Sequence, residues 1–412
     1  MTAERDSAAA VEDADPELSD DIRDDMSFGL EEVNEALAEL VAQQAERKAR
    51  DAEILGYRLG IAGERPQTLA LIGARYDLAR DRIRQLHTKA VGQLLRHAQL
   101  TGQIGAPVFA LRYPVRGRDQ QLVRALLVET YATDTDIAAN ELSYLKLRLA
   151  GHAPEDAKRI AGFVTQRIMA WRRKTNRRLA KLHAEPPATA ELTSALAQVD
   201  WPGAATPTGL PNESARVVDG DDDGRGRFYL DKVGRDVAFD SGLEARLLRI
   251  LTASDLVDTF QEEPAAVTYA LDGADRVAYP SVAARLSDGR VVLIDVQPLG
   301  HVAFHTNRIR SAAARAYAHD RGWGWLIWTG SRIGVPELLH RKVDASAGGQ
   351  LEELLTRGPV SWPQLRQVRT DTGLELLDFV ALALRHEWRW DRAPFRLTAP
   401  ALSAPPPPPR QK

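Results

Sequence analysis

The 412-residue chain contains no cysteine. That absence excludes disulfides, thiolate zinc sites and a thiol nucleophile, and it suits a reducing compartment. No run of about 18 apolar residues occurs, so no membrane-spanning helix is expected. A basic n-region with an apolar core is also missing at the N-terminus. Glu4, Asp6, Glu12, Asp13 and Asp15 stand there instead, which does not read as a signal peptide. Nor is there an excess of positive charge. Lys and Arg number 54 against 57 Asp and Glu, a net charge of −3, so any basic surface must be local. What the chain does have is 44% hydrophobic residues, enough for several separate cores. Arginine outnumbers lysine and alanine is abundant, as in GC-rich bacterial coding. The expectation is a cytoplasmic, nucleoid-associated bacterial protein.

The pattern along the chain predicts a multidomain α and α/β protein. Residues 1–27 are acidic, poor in large apolar residues and expected to be disordered. Residues 28–105 and 106–184 are two helical units, with apolar residues spaced three and four apart, as in Val33, Leu37, Leu40 and Val41. Residues 185–226 carry Pro186, Pro187, Pro202, Pro207, Pro211 and the acidic run Asp219–Asp223, and read as a linker. Residues 227–344 mix helix and strand signals, and 345–397 return to a compact helical pattern. The tail 398–412 holds Pro405–Pro409, a polyproline II signal.

Within the first unit, Leu69, Ile72 and Gly73 suit a helix packed inward, Tyr76-Asp77-Leu78 a turn, and Arg80–Leu95 a second helix. Ile83, Leu86, Ala90, Val91 and Leu94 form its buried stripe. The opposite face presents Arg80, Asp81, Arg82, Arg84, Gln85 and Lys89. Side chains at the start of such a helix reach base edges in a major groove, and flanking basic groups reach phosphates. This segment resembles region 4 of the housekeeping sigma factors. The likeness rests on Thr68-Leu69, Ile72-Gly73, Tyr76, the run Arg80-Asp81-Arg82-Ile83-Arg84-Gln85 and Lys89-Ala90, preceded by Ala52–Ile61. It implies base reading by Arg80, Asp81, Arg84 and Gln85. Asp81 stands where glutamate is usual, and Ala79 where a capping threonine is usual. The bland alternative is an alanine-rich helical hairpin with a solvated basic face.

Leu142–Leu182 forms the second unit. A helix ends near Gly151 and Pro154-Glu155-Asp156 opens the next, with acids at its positive end. Gly162-Phe163 is expected to turn the chain. The last helix carries Arg167, Arg172, Arg173, Lys174, Arg177 and Arg178, a density that favours phosphate contact. Ile168, Trp171, Thr175, Leu179 and Leu182 form its predicted buried stripe. The pattern resembles a divergent second helix-turn-helix of the same type; the alternative is a solvated basic helix.

In the third unit, Phe239–Leu251 reads as an acidic helix containing Glu244. Ala266–Leu271, Arg276–Leu286, Val291–Val296 and Trp325–Trp328 read as strands, with a hairpin at Asp288-Gly289 and a helix at Ser311–His319. This order resembles the restriction-endonuclease-like core, most closely the TnsA transposon endonucleases, over Gly242–Leu248, Arg276–Gln297 and Ala312–Thr329. That family cuts DNA with a divalent metal. It uses a helix glutamate, an aspartate after Tyr-Pro, and an acid-x-lysine on the next strand. Here Glu244 and Asp295 match, but Ser281 follows Tyr279-Pro280 and Gln297 replaces the lysine. Serine is a poor Mg²⁺ ligand and glutamine carries no charge. Three readings follow: an inactive nuclease fold kept as a binding platform, a live Mg²⁺ enzyme with migrated groups such as Asp272 or Asp275, or a different fold. His301 and His305 could share a metal only on one helix face, and ordinary packing roles are the commoner outcome for such pairs.

Gly358–Leu397 resembles a winged helix, with Leu374–Arg385 as its main helix and Trp388–Arg396 as its wing. The wing would offer Arg389, Arg392 and Arg396 beside Trp388 and Trp390, for phosphate or for a protein partner. Together these features predict a sequence-directed binder of double-stranded DNA, a regulator or architectural factor with no cofactor. The alternatives are a metal-dependent endonuclease of a mobile or defence element working with a TnsA-type partner, and a sigma-like factor bound to RNA polymerase.

Overall fold

The first described helix, α1 (Phe28–Leu59), already joins the two ends of the chain. In this computed structural model the described residues are 28–61, 65–133, 135–179, 186–203, 206–216, 226–331, 333–392 and 394–400. The acidic segment 1–27, the Asp219–Asp223 run and Pro405–Pro409 lie outside them. Leu37, Leu40 and Val41 of α1 are buried in the helical core, as their spacing predicts. Phe28, at its start, instead lies edge-on to Trp362 with ring centroids 6.2 Å apart. The helix bends at Lys48, whose backbone (φ −149°, ψ 77°) is not helical. Residues 28–105 therefore do not form a self-contained unit.

The N-terminal half continues through α2 (Leu69–Tyr76), α3 (Arg80–Leu100), α4 (Pro107–Arg112), α5 (Asp119–Thr133), α6 (Ala139–Leu149) and α7 (Pro154–Leu179). Its core is lined by Leu94, Tyr113, Leu126, Leu145, Ile160 and Val164. Glu129 is buried inside it, bonded to Lys146 at 2.8 Å, to Arg112 and to the Tyr113 hydroxyl. A buried carboxylate needs such compensation. The expected turn at Gly162-Phe163 is absent. α7 runs straight through it, because Ala157, Ile160, Ala161, Val164 and Ile168 keep an unbroken buried stripe and Gly162 has no positive φ. The bend lies earlier, at Gly151 (φ 100°), between α6 and α7.

The linker reading of 185–226 is also corrected. α8 (Pro186–Leu196) packs on the helix that follows the first hairpin, and Asp200 exchanges two 2.9 Å backbone hydrogen bonds with Trp325. Pro186 and Pro187 open α8, and the segment beyond it lies along a sheet edge, where the Thr208 N–H donates to the Arg321 carbonyl at 3.0 Å. The hairpin of β1 (Gly226–Leu230) and β2 (Arg235–Phe239) precedes α9 (Gly242–Ala253). A four-stranded sheet follows, ordered β3 (Val257–Glu262), β6 (Val282–Leu286), β7 (Val291–Val296), β8 (Gly324–Trp328). β7 is buried along its whole length, which explains its continuous apolar run. It pairs parallel to β8 through the crossover helix α10 (His305–Asp320). The predicted Arg276–Leu286 strand is really two, because Tyr279-Pro280 breaks it. β5 (Ala274–Ala278) pairs with β4 (Val267–Leu271) in a separate hairpin, and β6 joins the main sheet.

The C-terminal part contains α11 (Val335–Leu339), α12 (Ala345–Arg357), α13 (Trp362–Thr372) and α14 (Leu376–Arg385). A hairpin of β9 (Arg389–Asp391) and β10 (Arg396–Thr398) closes it, with Val360 bridged to Leu397. Trp388 and Trp390 are buried, not displayed. Trp390 packs edge-on against Phe304 and Phe379, at 4.4 and 4.8 Å. The described chain is thus helical in its first half and mixed α/β in its second. No helix among the described residues is long and apolar enough to cross a membrane.

Candidate nucleic-acid interface

Thr68 starts the α2–α3 unit: its hydroxyl accepts from the Leu71 N–H at 3.1 Å and caps α2. Asp77 ends α2 in the left-handed region (φ 54°), which asparagine and aspartate tolerate better than most residues. The Leu78 N–H then donates to the Gly73 carbonyl at 2.9 Å. A Cβ on Gly73 would lie 2.5 Å from the Leu78 carbonyl oxygen, so only glycine lets the turn fold back this tightly. Ala79 precedes α3 without a side-chain cap. Ile54 and Tyr57 from α1 join Leu69, Ile72, Ile83 and Leu86 in a small apolar core beneath the turn.

This packing fixes which face of α3 is free. Ile83, Leu86, His87, Ala90 and Leu94 point inward, and burial pushes the His87 imidazole down to about 4, so it stays neutral. Asp81, Arg82, Arg84, Gln85 and Lys89 are exposed on the opposite face, and Arg80 is half-buried. Arg82 donates to the Gln85 side chain at 3.1 Å, and Arg84 lies 3.9 Å from Asp81. Five of the six predicted residues thus lie on the exposed side of α3, and Arg80 at its edge. The unit is tied to the rest of the molecule by buried Arg58, which bonds Glu141 at 2.6 Å, the Ile137 carbonyl at 3.2 Å and the Gln67 carbonyl at 3.1 Å.

The basic residues of α7 do not form one surface. Arg173 is exposed and Arg167 half-buried. Arg172 is buried, its guanidinium 5.4 Å from the Phe239 ring centroid. It belongs to the contact with the β1–β2 hairpin and not to a solvent face, because α7 packs there. The side chains of Lys174, Arg177 and Arg178 lie outside the described residues, as do those of Thr175, Leu179 and Leu182.

The four nuclease-like positions form two hydrogen-bonded pairs, Glu244 with Ser281 and Asp295 with Gln297. Glu244, in the first turn of α9, accepts from the Ser281 hydroxyl at 3.0 Å and the Asp240 N–H at 2.8 Å. Ser281 in turn accepts from the Val296 N–H at 3.2 Å. Asp295 on β7 accepts from the Gln297 amide at 2.6 Å and from Ser311 at 3.3 Å, with Arg310 at 3.8 Å. Two further residues enter that no linear motif marked. Arg65 donates to Glu244 at 2.5 Å and to the Val296 carbonyl. Asp136, from the turn before α6, accepts from the Gly242 N–H at 3.1 Å at the start of α9. Burial pushes the Asp136 carboxyl up, Glu244 adds to this, and Arg172 opposes it.

These residues do not fit the divalent metal that the nuclease resemblance implies. Such a cation needs several free anionic oxygens, and here the oxygens face a guanidinium, an amide and hydroxyl donors. Asp272 is held by a bidentate Arg389 contact at 2.9 and 3.0 Å in the β4–β5 turn. Asp275 is an exposed residue of the same hairpin. His301 lies in a short 3₁₀ turn against Phe304 while His305 opens α10, so the two do not share a helix face. Among the described residues no group of three His, Asp or Glu side chains could hold a metal. Compared with protein-family models, curated proteins and solved structures, the chain matches none.

Proposed function

We propose that this is a sequence-directed binder of double-stranded DNA, acting as a regulator or architectural factor, in which α3 enters the major groove. The observation that carries this reading is the single exposed face of Asp81, Arg82, Arg84, Gln85 and Lys89, presented by a glycine-dependent turn over a dedicated core. Its chemistry suits base edges: arginine can pair bidentately with guanine, glutamine with adenine, and aspartate can accept from cytosine. Lys89 lies about two turns along the helix, where it would meet phosphate. The resemblance of the same residues to the promoter-reading region of sigma factors points the same way. On this view the four-stranded sheet with α9 and α10 is a nuclease-like platform without its metal chemistry, and α12–α14 with the β9–β10 hairpin is a winged-helix-like module. Selection of bound duplexes from a randomised library tests the proposal. Enrichment of a defined motif is expected, and recovery of sequences no different from the input pool would overturn it.

A further inference from the structure

The cluster around Glu244 does not suit a metal, yet it contains a cation. Arg65 comes from the segment just before α2, 179 residues away in the chain from Glu244. Its planar fork meets two acceptors on different elements: the Glu244 carboxylate on α9 and the Val296 carbonyl at the end of β7. The Glu244 side chain is only 11% exposed, so its charge needs a partner in place. We infer that Arg65 is the resident counter-cation of Glu244, fastening the α2–α3 unit to the sheet domain.

Three features of the structure support this. The space beside the guanidinium, lined by Gln297, Arg310 and Asn307 among others, is a cavity of about 20 Å³. That admits about one water molecule, and neither a hydrated divalent ion nor a DNA phosphate. The second acid, Asp295, is satisfied separately by Gln297, Ser311 and Arg310, so it makes no claim on a shared cation. The strap that carries Arg65 is itself clamped. Pro66 packs so closely on Gly60 (φ 68°) that a Cβ there would meet its ring at 2.7 Å, and Arg58 holds the Gln67 carbonyl. Thr68, the cap of α2, is three residues beyond Arg65, so the ion pair adds to the hold that Arg58 and the shared apolar core already have on the α2–α3 unit. The inference stands on this geometry and does not depend on what α3 binds.

A double-mutant cycle on the full chain tests it, with thermal melting as the readout. Arg65→Ala should lower the Tm by several degrees, and so should Glu244→Gln. Their combination should cost much less than the sum, because the damage in Arg65→Ala is a buried carboxylate that keeps its hydrogen-bond donors but loses its counter-charge. If Arg65→Ala does not fold, Arg65→Gln serves in the same cycle; recovery of folding in Arg65→Ala with Glu244→Gln would count in favour. The unaltered protein should melt at the same temperature in EDTA, millimolar MgCl₂ or millimolar MnCl₂. Additive effects in the cycle would overturn the inference. So would a metal-dependent rise in Tm that Glu244→Gln abolishes.

Discussion

The α-carbon of Gly73 faces the carbonyl of Leu78 so closely that a methyl group there would sit 2.5 Å from its oxygen. The obstacle is backbone, which cannot swing aside as a flexible side chain can. Gly73→Val should therefore open the turn between α2 and α3, with local destabilisation of about 2 kcal/mol or more. Amide hydrogen exchange should quicken across α2 and the start of α3 and stay unchanged in the sheet domain. Wild-type protection in α2 would show that the turn does not need glycine.

Arg172 and Arg173 are adjacent in sequence and opposite in placement. Arg172 is buried over Phe239, whereas Arg173 is exposed. Arg172→Met should lower the Tm and leave the salt dependence of DNA binding unaltered. A changed salt slope in Arg172→Met would place that side chain at the DNA.

Lys89 tests the electrostatic part of the interface. It is exposed on the reading face of α3. Lys89→Ala should weaken binding to all duplexes alike and reduce the slope of log K against log salt by about 1. An effect confined to one sequence would give Lys89 a base contact instead.

Glu35 gives the fold a pH dependence. It is buried on α1 and accepts from the Phe395 N–H in the β9–β10 turn. Burial pushes its carboxyl up from 4.5 to about 7; the Phe395 bond opposes this, and Glu39 adds to it. The folded protein thus holds this proton more tightly than the unfolded chain does. The resulting stability is fully present below pH 4.5 and lost as pH rises through about 7. The difference amounts to about 3 kcal/mol. Glu35→Gln should raise the Tm at pH 8 and change it little at pH 4. Equal shifts at both pH values would show that Glu35 titrates normally.

Much of this molecule was legible in its sequence where local pattern decides structure. The inward residues Ile72 and Ile83 and the strand Val291–Val296 follow from spacing and residue type, whereas the cap at Thr68 emerged only in the structure. The four nuclease-like positions were picked out in sequence, and they fall into two hydrogen-bonded pairs, Glu244 with Ser281 and Asp295 with Gln297. What could not be read depends on contacts distant in the chain. The 185–226 segment looks like a linker because its prolines signal corners, and only Asp200 pairing with Trp325 reveals that the segment lies along a sheet edge. The turn expected at Gly162 fails because helix packing on both sides overrides one permissive residue. Trp388 and Trp390 read as display residues but fill a core that includes Phe28, more than 300 residues earlier. Arg65 carries no signal of its own; its contacts exist only because α9 begins and β7 ends beside it.

The central claim is that α3 reads bases. Its most direct test is the affinity of Arg84→Ala combined with Gln85→Ala for a library-selected duplex and for an unselected one, at one salt concentration. The account predicts a loss of roughly tenfold to a hundredfold on the selected duplex, as expected for removed base contacts, and little change on the unselected one. Equal losses on the two would contradict it.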